Sequence, residues 1–165
     1  MLGFTRKTDY ALVALATLAD SAGGRLSARQ ISERHGVPLS LLMNVLKDLV
    51  GIGLVTSTRG SRGGYALARP PEGISVQDVV SATEGPVRMA ACCGEEEETP
   101  CSDCRVVITC PVSHSLRRLN DQLNDFLGGV TLADLIRDGR AASEHDPRRE
   151  FRLEFRPLSP LPKEA

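Results

Sequence analysis

The chain has 165 residues, 41% of them apolar and 4% aromatic with no Trp, so its core is built from Leu, Val, Ile and Ala. Its net charge of −1 is uneven: residues 1–69 carry nine Lys or Arg against four Asp or Glu, and residues 70–137 carry five against eleven. That length suits one ordinary domain, or a small domain with an appended element. The basic N-terminal part suits a polyanion-binding module, or else a solvated basic face. No stretch approaches the roughly 20 apolar residues of a membrane span, so no membrane partner is expected. Residues 11–19 continue into an amphipathic helix instead of a signal cleavage site, and a cytoplasmic protein is expected. There, five cysteines point to metal or redox chemistry rather than a disulfide scaffold.

Residues 5–20 read as a first helix, with Leu12, Leu15, Ala16 and Ala19 at helical spacing before Gly23 and Gly24. Ser27 and Gln30 form a capping-box pattern that opens a second helix over 28–35, ended by Gly36. Pro38 opens a third, striped by Leu39, Leu42, Leu46 and Leu49 and widened by Val45 and Val50. Residues 54–57 and 65–68 read as strands joined by a basic, glycine-rich turn. Ser75 and Asp78 cap a short helix to about Thr83, broken by Gly85-Pro86. A cysteine-rich, acidic stretch follows over 87–110. From Pro111 a long helix carries Val112, Leu116, Leu119, Leu123 and Phe126, alternately four and three apart. That 3.5-residue seam suits a two-fold partner helix, or packing back onto its own domain. Thr131 and Asp134 cap a last short helix through Ile136, and the polar, Arg- and Pro-rich remainder reads as a disordered tail.

The expected fold is therefore mainly α with a small β wing. A winged helix-turn-helix occupies 1–86, a cysteine loop 87–110, a dimerisation helix with its short capping helix 111–137, and a tail 138–165.

The pattern has a direct use on double-stranded DNA. A helix fits a major groove about 12 Å wide. Ser40, Leu41, Asn44 and Lys47 lie off the apolar stripe of the third helix. Asn suits an adenine edge, Ser a phosphate or base edge, and Lys a phosphate. Arg59 and Arg62 at the wing tip suit the backbone or adjacent minor groove, while Gly63, Gly64 and Tyr65 complete the wing. The alternative is a solvated hairpin beside a small bundle.

Cys92, Cys93, Cys101, Cys104 and Cys110 fall within one short stretch, and the chain has no others. Thiolates at that density bind zinc or iron–sulfur clusters, unless they are free thiols in a loop. A thiol oxidoreductase is disfavoured, because Cys101-x-x-Cys104 lacks the strand-then-helix setting such enzymes use. No enzyme activity is expected.

The order of these features resembles the bacterial Rrf-type winged-helix transcription regulators, of IscR-like and NsrR-like kind, over about residues 3–137. The carrying motifs are Thr8-Asp9-Tyr10-Ala11, Ile31-Ser32-Glu33-Arg34, Gly53-Leu54-Val55, Arg59-Gly60-Ser61-Arg62-Gly63-Gly64-Tyr65 and Gly129-Val130-Thr131-Leu132-Ala133-Asp134-Leu135. The resemblance implies a homodimer on a pseudo-palindromic operator, whose DNA affinity is set by an iron–sulfur cluster. A [2Fe–2S] cluster is favoured over [4Fe–4S], with zinc or thiol redox chemistry as the alternative. Three loop cysteines would bind it. Cys110 matches the third, Cys104 the middle one, and Cys93 or Cys92 the first, with Cys93 preferred. Cys101 is then an extra thiolate. The IscR-like fourth ligand is a histidine three residues after the third cysteine. Here Ser113 stands there and His114 follows it. The NsrR-like fourth ligand is an aspartate near the N-terminus of the second subunit, which Asp9 matches.

Overall fold

The computed structural model describes residues 4–21, 23–60, 63–90, 92–93 and 109–143. Helix α1 (Arg6–Asp20) is followed by α2 (Ala28–His35) and α3 (Leu39–Gly51). Strands β1 (Val55–Thr58) and β2 (Gly64–Leu67) form an antiparallel pair, with Val55 opposite Leu67 and Thr58 opposite Gly64. A 3₁₀ turn (Pro71–Gly73) leads to α4 (Val76–Glu84), and α5 (Ser113–Gly129) and α6 (Leu132–Ser143) close the described chain.

The local signals explain these boundaries. Ser27 accepts from the Gln30 N–H at 3.2 Å while Gln30 Oε1 accepts from the Ser27 N–H at 2.8 Å, a reciprocal cap that satisfies two free donors of α2. Ser75 and Asp78 do the same for α4 at 3.0 and 3.1 Å. Ser32 Oγ donates to the Val37 carbonyl at 2.7 Å and holds the turn between α2 and α3. Leu26 and Tyr65 exchange backbone bonds of 3.0 and 2.8 Å, so the chain before α2 pairs with the returning wing strand.

One core binds these pieces. Ala11, Leu15 and Leu18 of α1 meet Ile31 of α2, Leu42, Val45, Leu46 and Leu49 of α3, and Leu54, Ile74 and Val79. Each fully buried Leu or Ile is worth about 1.5–3 kcal/mol relative to exposure, so this helical face holds α3 rigidly. A smaller cluster of Val76, Val80 and Leu127, flanked by Val87, Leu123 and Val130, joins α4 to α5.

One sequence expectation changes. The last helix does not stop at Ile136 but runs to Ser143, so 138–143 are helix and not tail. Arg137 pairs with Asp134 along it, and Arg140 pairs with Asp20 of α1. Helix α6 sits on the N-terminal body. Leu132 is a core residue, its N–H donates to the Ile74 carbonyl at 2.8 Å, and the Val76 N–H donates to the Val130 carbonyl at 2.9 Å. The remaining expected tail, 144–165, lies outside the described residues.

Candidate functional site

The polar face of α3 is open. Ser40, Leu41, Asn44 and Lys47 are all exposed, while Leu42, Val45, Leu46 and Leu49 are buried behind them. Residues three and four apart share a helix face, which puts Ser40, Asn44 and Lys47 on one line. Met43 shares that face and is 52% exposed, although the apolar stripe gave no reason to single it out. Counting from Lys47 back four, or from Ser40 forward three, was the signal available.

An acidic group beside this face would repel phosphate. Asp48 is the acid next to Lys47, and its carboxylate is paired with Lys7 Nζ at 2.7 Å. Lys7 also donates to the Thr83 carbonyl at 2.9 Å, at the end of α4. The buried Thr8 hydroxyl lies 2.7 Å from that of Thr83 and also binds Glu84, which accepts from the Thr5 N–H at 2.8 Å. The first turn of α1 thus ties the last turn of α4 to α3. These bonds, the Thr8 hydroxyl first and the Thr5 N–H second, hold the Glu84 carboxyl below its ordinary value. A lowered folded-state value means that Glu84 stabilises the fold fully above its unfolded pKa. That contribution is lost as pH falls through the folded value. In acid titrations followed by circular dichroism, Glu84→Gln is expected to flatten this part of the pH dependence and to lower stability at neutral pH.

The wing is anchored where its strands meet the tip. Arg25 Nη1 donates to Thr58 Oγ1 at 2.5 Å, and Arg59 beyond it is exposed. Tyr65 is half-buried against the core, so its ring helps seat the wing. Gly63 closes the tip, its N–H donating to the Gly60 carbonyl at 2.9 Å. A Cβ at Gly63 would stand 2.2 Å from the Thr58 carbonyl oxygen, far inside contact distance. Gly64 has φ +153°, and a Cβ there would stand 2.9 Å from the Leu26 carbonyl oxygen. Gly63→Ala is therefore expected to displace the wing tip, by more than about 1 kcal/mol of local stability. Faster amide exchange over 55–67 with little change in the melting of α1–α3 would show it. Arg62 lies outside the described residues.

The cysteine segment is fastened to α5. Asn120 is buried and its Oδ1 accepts from the Met89 N–H at 2.9 Å. Asn124 Nδ2 donates to the Val87 carbonyl at 3.3 Å, and Arg117 Nε to the Cys92 carbonyl at 3.0 Å. Cys93 Sγ lies 3.6 Å from the Leu116 carbonyl oxygen. At the other end of the loop Ser113 Oγ donates to the Cys110 carbonyl at 3.1 Å. Ser113 therefore fixes the cysteine beside it, where the IscR-like pattern has a ligand. Cys92 and Cys93 are buried and Cys110 is half-buried. Burial first, and the neighbouring Cys93 second, raise the Cys92 thiol above its ordinary value. His114 is exposed in the first turn of α5, and Asp9 is exposed in the first turn of α1. Among the described residues no three His, Cys, Asp or Glu side chains converge to hold a metal ion, and Cys101 and Cys104 lie outside them.

The seam of α5 divides. Leu123 and Leu127 turn inward with Asn120, whereas Val112, Leu119 and Phe126, seven residues apart, remain 52%, 46% and 56% exposed. No helix among the described residues is long and apolar enough to cross a membrane.

The chain is similar to known proteins over most of its length. A family model, Rrf2, described as an iron-dependent transcriptional regulator, matches residues 4–138. An rrf2-like HTH-type transcriptional regulator of Rhodobacter capsulatus is 31% identical over 85% of this chain and 96% of its own length. The solved structure of T. potens IscR has a TM-score of 0.65 at 28% identity, covering 88% of this chain and 93% of that one. CymR, described as the global cysteine regulator of B. subtilis, has a TM-score of 0.63 at 26% identity, covering 88% of this chain and all (100%) of that one. With that family model matching residues 4–138, the chain belongs to the Rrf2 family of transcriptional regulators, which are not enzymes.

Proposed function

We propose that two copies of this chain bind a pseudo-palindromic operator, with an affinity set by an iron–sulfur cluster held in the cysteine loop. The observation that carries the DNA reading is the open face of Ser40, Asn44 and Lys47, whose adjacent acid Asp48 is already neutralised by Lys7. Ser40, Leu41, Asn44 and Lys47 enter the major groove, and the wing residues Arg59, Arg62, Gly63 and Gly64 approach the backbone beside it. Tyr65 supports that approach from behind. The exposed Val112, Leu119 and Phe126 pair with the same residues of a second copy and set the spacing of the two recognition helices.

The donor set suits the cluster. Cys93 touches Leu116 and Cys110 is held by Ser113, three residues and about 4.5 Å apart along α5. The Cys93 thiol and the Cys110 backbone are thereby both held near the N-terminal end of α5. Cys104 supplies the third, with Cys92, Cys101, His114 or Asp9 of the second copy as the remaining ligand. Such a cluster, a [2Fe–2S] in preference to a [4Fe–4S], supplies a centre sensitive to iron, oxidants or nitric oxide. Asn120, Asn124 and Arg117 pass the position of the cysteine segment to α5. Thr83, Glu84 and Lys7 pass the position of α4 to α3.

Iron and sulfide analysis with visible absorption of anaerobically purified protein tests the cofactor. Iron and sulfide in equal amounts, with weaker operator binding once they are removed, is the expected outcome. A colourless protein with stoichiometric zinc overturns it. The adjacent, buried Cys92 and Cys93 favour a second reading, a thiol or zinc switch on the same fold. Protein free of iron whose operator binding changes on thiol oxidation would select it.

A further inference from the structure

The N-terminal half of α3 exposes more apolar surface than a solvated helix needs. Leu39, Leu41 and Met43 are 37%, 48% and 52% exposed, and all three lie within five residues. Scattered exposed apolar residues are ordinary, but these are not scattered. Leu39 and Met43 are four apart and form one ridge. Leu41, two residues from Met43, lies on the far side of the polar line of Ser40 and Asn44. Both apolar flanks thus border the groups suited to base edges. They also occupy the N-terminal part of the helix, the part that meets bases when a recognition helix docks. The C-terminal half instead presents Lys47, suited to phosphate.

On the floor of a major groove one apolar group stands out from the edges, the C5-methyl of thymine. Met is unbranched and fits itself to small apolar partners. Resting on the DNA reading above, we propose that Met43, with Leu41 on the opposite flank, determines operator specificity by packing on thymine methyls. Asn44 between them pairs with a neighbouring adenine edge. The half-site then carries thymine at steps flanking that adenine, chosen by apolar contact and not by hydrogen bonds.

Uracil tests this without altering base pairing, since deoxyuridine differs from thymidine only by that methyl. A duplex enriched from a randomised pool by the full-length protein is resynthesised with each thymine replaced in turn by uracil, and affinities are measured at one salt concentration. Loss of a buried methyl is expected to weaken binding about fourfold at one or two positions per half-site. Met43→Gln keeps an unbranched, helix-compatible side chain and is expected to abolish the effect at one position while leaving the others. Leu41→Gln is expected to do so at a different one. An enriched duplex whose uracil forms all bind like the parent overturns this inference and leaves operator binding standing. Uracil effects that persist unchanged in both variants assign the methyls elsewhere and overturn it too. A pool from which nothing is enriched removes the operator reading itself, and this inference with it.

Discussion

Replacing Arg59 and Arg62 together by Ala is expected to weaken operator binding by about tenfold or more and to flatten its salt dependence. Arg59 is exposed just past the wing strand, and its loss disturbs no buried contact. Each charge-assisted contact to phosphate is worth roughly 1.5 kcal/mol, about tenfold in affinity. Each phosphate neutralised also adds about 0.9 to the slope of log affinity against log salt. Two arginines lost per wing should therefore lower that slope by about 2 per half-site. Fluorescence anisotropy over a salt series reads both quantities. The fold should be unaffected, because the wing's share of the core is Val55, Tyr65 and Leu67 and exposed Arg59 is no part of it. An unchanged slope would take the wing out of the interface and leave α3 alone to carry it.

A second large effect separates two adjacent residues of α5. Phe126 is 56% exposed, whereas Leu127 is 7% exposed and packs with Val76 and Val80 of α4. Phe126→Glu places a charge in the outward seam and is expected to convert a dimer to monomer. The melting of the single chain should stay near that of the parent at low concentration. Leu127→Ala removes a buried side chain and is expected to cost about 2–5 kcal/mol of stability, with assembly surviving in the folded fraction. Analytical ultracentrifugation alongside thermal melts distinguishes the two. If Phe126→Glu leaves the mass of the assembly unchanged, the seam is not the dimer contact.

The two effects bear on one property of the regulator. Operator affinity in a dimer depends on where two recognition helices stand, and α5 sets that spacing under the proposal. Asn120, Asn124 and Arg117 attach the cysteine segment to the same helix. Under the proposal, a change at the cysteines therefore reaches α5 through these hydrogen bonds. It reaches α3 through α4, Thr83 and Lys7.

By itself, the sequence determined the helices, their caps and the wing. Those signals are local. A capping box such as Ser27 with Gln30 needs only four consecutive residues, and the stripe of Leu39, Leu42, Leu46 and Leu49 needs only the period of a helix, although Leu39 stays exposed. The clustering of five cysteines and the basic first third were equally visible, and so was the family likeness. The tertiary structure decided what those elements do to one another. A 3.5-residue seam does not say which of its residues a neighbouring segment covers. In α5, Val87 and α4 take Leu123 and Leu127, leaving Val112, Leu119 and Phe126 outside. Nor does periodicity foresee that α6 returns to Ile74 or that Lys7 reaches both Asp48 and Thr83, contacts between residues about 40 to 76 positions apart. Met43 belongs with these. Its helix was plain from the pattern, but its exposure beside Asn44 follows from how α3 is rolled against α1 and α2 by the shared core.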